Sequence, residues 1–179
     1  MDTRRRLDLL AFVFALALVT SAIITFVYER NGAAAIMSAM CLAGLVAGRI
    51  VGLPGRVLLP VASGLIVILW MVWIDPPASS HKTSALAHAI GGTLAGWAVV
   101  EMLRHGDRDW QSVALLALSV VIALTLVWEL GEYVGDRLFD TALAPSVHDS
   151  AEDIIFGTAG GFVGTTLGSL VVLWRRGRY

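Results

Sequence analysis

"WQSVALLALSVVIALTLVW", residues 110–128, is nineteen residues without a charge, and "ELGE", residues 129–132, follows it at once. A helix rising about 1.5 Å per residue carries such a run across roughly 28 Å, close to the hydrocarbon thickness of a bilayer. The run lacks the polar/apolar alternation of an outer-membrane barrel strand. It predicts a membrane-spanning helix that ends on two carboxylates.

Five more uncharged runs lie at 9–28, 31–48, 57–74, 83–100 and 154–174. With 57% hydrophobic and 15% charged residues, a chain of 179 residues has too much apolar surface to hide from water. The expected fold is an all-α membrane protein, a six-transmembrane-helix bundle with short loops. Its spans are about 8–28, 32–52, 57–74, 83–103, 110–134 and 150–174, in one transmembrane domain over 1–179. The first run follows "MDTRRR" but is longer than a signal-peptide core and precedes no small-residue cleavage site, so it counts as a span. Cys41 is the only cysteine, which excludes an intrachain disulfide.

Basic residues mark cytoplasmic loops. With the N-terminus inside, ten of the thirteen fall on the inner side, leaving only Arg30, Lys82 and Arg137 outside. Nine of the fourteen acids fall at or near the outer side. Both termini are therefore expected in the cytoplasm, in a multi-pass protein of a bacterial inner membrane. Tyr28, Trp70, Trp73 and Trp128 are placed near the outer interface, and Trp110 and Trp174 near the inner one, as amphipathic rings prefer.

Glycines recur every four residues at 44, 48 and 52, at 92 and 96, and at 160, 164 and 168, with Gly157 and Gly161 beside them. Lipid provides little hydrophobic drive between helices, so such rows predict close packing among the second, fourth and sixth spans. A homodimer through the second span is the alternative use of its row.

The acids past residue 128 are spaced for helical faces: Glu129 with Glu132, Tyr133 and Asp136, then Asp149 with Asp153. Asp149 or Ser150 reads as an N-cap for a sixth helix starting near His148 after Pro145. Capping leaves Glu129 and Glu132 unexplained, because the C-terminal end of a helix disfavours anions. Converging carboxylates repel unless a cation or proton sits among them. The open choices are Arg137, Lys82, His81, His148, protons, or a divalent ion. Oxygen ligands suit Mg, Ca or Mn, and a histidine admits Zn or Fe. The candidate metal ligands are Glu129, Glu132, Asp149 and Asp153. A salt-bridged or protonated network, or solvated loop acids, are the plainer readings.

"WELGE" followed by "HDSAEDIIFGTAGG" resembles the YjdF-like family of bacterial polytopic membrane proteins, and more distantly the VanZ-like pattern. Glu129, Glu132, Asp149, Asp153 and Gly160 match the family's positions, over roughly the last third of the chain. Gly157 stands where the family usually has asparagine. The resemblance implies a shared fold and site, and no particular reaction.

"HKTSALAHAIGG" places His88 two turns inside the fourth span. An intramembrane histidine is a functional candidate: a metal ligand, a proton relay, or an axial ligand to a tetrapyrrole. A packed, hydrogen-bonded histidine is the bland reading. Glu101 reads as a surface pair with Arg104. The sequence has no G-x-S-x-G, Walker, H-E-x-x-H or Cys/His zinc pattern, and no basic aromatic patch for nucleic acid. Three functions remain: an outward-facing cation site acting on a lipid or envelope substrate, a cation or proton carrier, or an accessory subunit scaffolding a larger membrane complex.

Overall fold

A computed structural model describes residues 32–74, 81–104, 109–140, 146–176, Leu143 and scattered positions between Arg6 and Ile24. Every described position before Gly32 is helical, and Leu18 packs into the core with Cys41, Leu45, Leu58 and Leu143. Most of the first expected span, the 75–80 and 105–108 connections, Pro145, and the side chains of Trp70, Trp73 and His81 lie outside the described residues.

Five helices follow: α1 (Gly32–Ile50), α2 (Gly55–Ile74), α3 (His81–Leu103), α4 (Trp110–Phe139) and α5 (Val147–Arg176). No strand occurs among the described residues. Among the described residues, three stretches are long and apolar enough to cross a membrane: Lys82–Leu103, Trp110–Phe139 and Val147–Trp174. Two shorter apolar helices, Ser38–Ile50 and Val57–Leu69, accompany them. The outer faces of α4 and α5 expose Leu115, Leu126, Val127, Leu130, Phe162 and Leu167, a surface that only lipid or another apolar body would cover.

Sharp local signals set the helix ends. Asp109 caps α4: its carboxylate accepts from the Ser112 N–H at 2.8 Å and from the Ser112 hydroxyl at 2.7 Å. Those two donors hold its pKa below the ordinary aspartate value. Asp140 closes α4 in the left-handed region, at φ 52°. At the end of α1, Leu53 N–H bonds Gly48 C=O and Gly52 N–H bonds Arg49 C=O, the paired bonds of a Schellman stop. Gly52 takes φ 85° there, so it serves as a helix terminator.

The rows of small residues have different uses. A Cβ on Gly92 would run into the Gly157 carbonyl, one on Gly96 into Gly161, one on Gly160 into Ala89, and one on Gly164 into Thr93. The facing positions rise together, so α3 and α5 run parallel with their backbones in contact. The α1 row does not join them. Gly44 has nothing within 4 Å among the described residues, and Gly48 meets Leu53 and Leu58 of its own turn and of α2. The expected three-helix glycine contact is thus a two-helix seam.

α4 lies across this seam with a buried stripe of Val113, Ala117, Val121, Thr125, Glu129 and Glu132. Gly157 faces Thr125 and Gly161 faces Val121, so α4 runs antiparallel to α5 in four-residue steps. At the other end Glu101 is buried at 4% exposure, with the Arg104 Nε 2.9 Å from its carboxylate. The pair expected at the surface has its acid inside the bundle, where a lone carboxylate would be costly.

Candidate metal centre

The starts of α3 and α5 and the end of α4 meet on one side of the bundle. His88 lies seven residues into α3 and Asp153 six into α5, about 9–11 Å along each helix. Glu129 lies ten residues before the end of α4, about 15 Å back. The four-residue step that puts Gly157 opposite Thr125 puts Asp153 opposite Glu129.

Both imidazole nitrogens of His88 face carboxylates: Nδ1 is 3.5 Å from a Glu129 oxygen and Nε2 is 3.5 Å from Asp153 Oδ2. One ligand atom from each of His88, Glu129, Glu132 and Asp153 lies within 4.8 Å of the others. This buried His/Glu/Asp group could hold a metal ion. Ligands about 2.0–2.2 Å from a shared ion stand about 3.3–3.6 Å apart at tetrahedral angles, so the side chains would draw together by up to about 1.5 Å to close on an ion.

Neighbouring groups orient two of the acids. The Ser84 hydroxyl, one turn before His88, donates to Asp153 Oδ2 at 2.7 Å. The indole N–H of Trp128 donates to Glu132 Oε1 at 2.7 Å. Glu129 differs from both. It is 7% exposed, and neither of its oxygens accepts a hydrogen bond in good geometry. The Ser150 hydroxyl bears on it electrostatically without meeting that geometry. The His88 imidazole is also placed against it, with Nδ1 facing Oε1.

Of the four acids read from sequence as metal ligands, Glu129, Glu132 and Asp153 come together. Asp149 is buried beside them, at 2% exposure, outside the group of four. His88 joins them, with both nitrogens engaged by acids. The α5 cap is Ser146, whose hydroxyl accepts from the Asp149 N–H at 3.1 Å. The helix starts at Val147, so Asp149 belongs to its first turn and turns inward where a cap was expected.

The other expected partners go elsewhere. His148 is exposed, 3.8 Å from Glu152, and Arg137 lies over the Tyr133 ring. Lys82 is exposed, and Asp136 accepts from the Leu143 N–H at 2.8 Å, tying down the turn before α5. Sequence reading missed Ser84, and it placed Trp128 at the interface as an anchor. Each stands four residues before a site residue, on the same helical face, and that spacing was the available signal.

Comparison with known proteins gives one family. The model described as "Predicted membrane protein (DUF2238)" matches residues 82–173, which contain His88, Glu129, Glu132, Asp149 and Asp153. No curated protein and no solved structure matches.

Proposed function

Because the chain belongs to the DUF2238 family of predicted membrane proteins, we propose a function for the buried polar group where α3, α4 and α5 meet. The protein binds a divalent cation within the bilayer, through His88, Glu129, Glu132 and Asp153, with Asp149 as a neighbouring carboxylate. The observation that carries this reading is Glu129, a buried acid with no hydrogen-bond donor in good geometry on either oxygen, set among two acids and an imidazole. A cation supplies the missing charge and gives those oxygens partners, where isolated acids in hydrocarbon would be costly. Three carboxylates with one imidazole suit Mn or Zn, and Mg if water completes the shell. With both His88 nitrogens facing acids, the arrangement suits an ion shared with carboxylates better than an axial bond to a tetrapyrrole.

The charge asymmetry supports six spans with both termini in the cytoplasm, which opens the site toward the outer face of a bacterial inner membrane. An ion there polarises a phosphate or carbonyl oxygen of a lipid or envelope substrate, the role of a bound Lewis acid. The hydrogen bonds from Ser84 and Trp128 also favour a second reading, a protonated structural network in a scaffolding subunit.

Equilibrium dialysis separates the two. Protein stripped of metal and dialysed against Mn2+ or Zn2+ is expected to retain about one ion per chain. Glu129→Gln and Asp153→Asn should each lose it while melting as wild type does. Equal, negligible retention by all three proteins would reject the metal reading and leave the scaffold. Reporter fusions at residues 80, 107, 145 and the C-terminus should read out, in, out, in. An outside C-terminus would turn the site toward the cytoplasm.

A further inference from the structure

The four buried carboxylates of Glu129, Glu132, Asp149 and Asp153 carry more charge than one divalent cation neutralises. When all four are ionised, one such ion offsets half of it. The other half stays inside the bundle, where ionised carboxylates are costly. Only three of these acids join His88 in the group that could close on an ion.

Asp149 stands one turn before Asp153 on the same face of α5, at 2% exposure. It lies outside the group of four, yet near enough for its charge to bear on both His88 and Glu129. Glu129 differs from the other acids. Ser84 donates to one oxygen of Asp153, and Trp128 to one of Glu132. Among the described residues, Glu129 is the one acid whose two buried oxygens both lack a donor in good geometry. The group of four uses one of those oxygens, because each member offers a single ligand atom. The second oxygen is left over, and so is Asp149.

We propose that Glu129 bridges two divalent cations, the first held with His88, Glu132 and Asp153, the second with Asp149. This rests on the single-ion reading above and adds a second site to it. Paired ions in enzyme sites stand about 3.5–4 Å apart. Side chains four apart on a helix have Cβ atoms about 5–6 Å apart, a spacing that suits one terminal ligand on each ion, Asp153 on the first and Asp149 on the second. The second ion offsets the remaining charge. It has fewer protein ligands and no imidazole, so it binds more weakly than the first, with water completing its shell.

The test is a Mn2+ titration of the full-length protein in detergent, read by dialysis and by electron paramagnetic resonance. Wild type should hold one ion at low free Mn2+ and two at high. As the second enters, the isolated-ion spectrum should give way to that of a coupled pair. Asp149→Asn should keep the first ion with its isolated spectrum and lose the second. Glu152→Gln, which alters a more exposed acid of the same helix, should keep both. Saturation of wild type at one ion, or two ions that never couple, overturns the proposal and leaves the single-ion reading standing. No retained ion in wild type overturns both. The wild-type spectrum decides the matter even if Asp149→Asn fails to fold.

Discussion

In the α3/α5 seam a Cβ at Gly92, Gly96, Gly160 or Gly164 would strike the facing backbone, whereas one at Gly44 on α1 would meet nothing within 4 Å among the described residues. Both rows repeat every four residues in apolar helices. The difference is in what stands opposite. Across the seam small residues answer small residues, so two backbones come together and stay in register. On α1 the row ends in a turn, where Gly52 is needed for its positive φ and Gly48 accommodates Leu53 and Leu58. Glycine spacing alone permits close approach, and only a matching row on a second helix uses it.

That register also builds the site. A Cβ on Gly92 would meet Gly161 as well as Gly157, and about two helical turns back from Gly92 and Gly161 stand Ser84 and Asp153, joined by their hydrogen bond. The seam is therefore the mount on which His88 and Asp153 are held against the α4 acids, and damage to it should cost more than damage to the acids themselves.

The largest effect is expected from Gly164→Leu, which forces a side chain into the α3 backbone at Thr93. Destabilisation at or beyond the about 1–3 kcal/mol typical of overpacking should appear as a large loss of Tm in detergent. Gly44→Leu should stay within about 0.5 kcal/mol of wild type. Equal behaviour of the two would erase the distinction between the rows. Next come the groups that orient the acids. Ser84→Ala and Trp128→Phe should weaken Mn2+ or Zn2+ binding about 10–100-fold in a dialysis titration, with the stoichiometry kept. Unchanged affinity in both would make these hydrogen bonds purely structural.

The smallest effect concerns the opposite end of α4. Asp109 has its pKa lowered by the Ser112 donors, so its cap stabilises the helix above the ordinary aspartate pKa and is lost as pH falls through the lowered value. Asp109→Ala should melt slightly below wild type near neutral pH, and the gap should close in acid. A gap that widens in acid would contradict the cap.

The membrane helices were legible because an uncharged run of nineteen residues has few other uses, and α4 and α5 fall where those runs predict. The proximity of Glu129 and Glu132 was legible too, since both face one side of a helix. The offset between helices was not. Nothing in the local sequence shows that Asp153 stands level with Glu129 while Asp149 sits a turn away, because that depends on how far α5 slides along α4. His88 could be flagged as intramembrane, but that both its nitrogens face acids follows from helix rotation, which packing decides. Glu101 was misread as a surface residue for the same reason: an i, i+3 pair with arginine looks alike on a wet face and on a packed one.

X-ray absorption at the metal edge, on protein loaded with Zn2+ and freed of excess ion, tests the centre most directly. A cation held by His88, Glu129, Glu132 and Asp153 gives a shell of nitrogen and oxygen atoms at about 2.0–2.2 Å, with the outer-shell scattering of one imidazole. That imidazole signal should vanish in His88→Ala, while His148→Ala leaves it intact. A wild-type spectrum without imidazole, or one that follows His148, would contradict a metal centre inside the bundle.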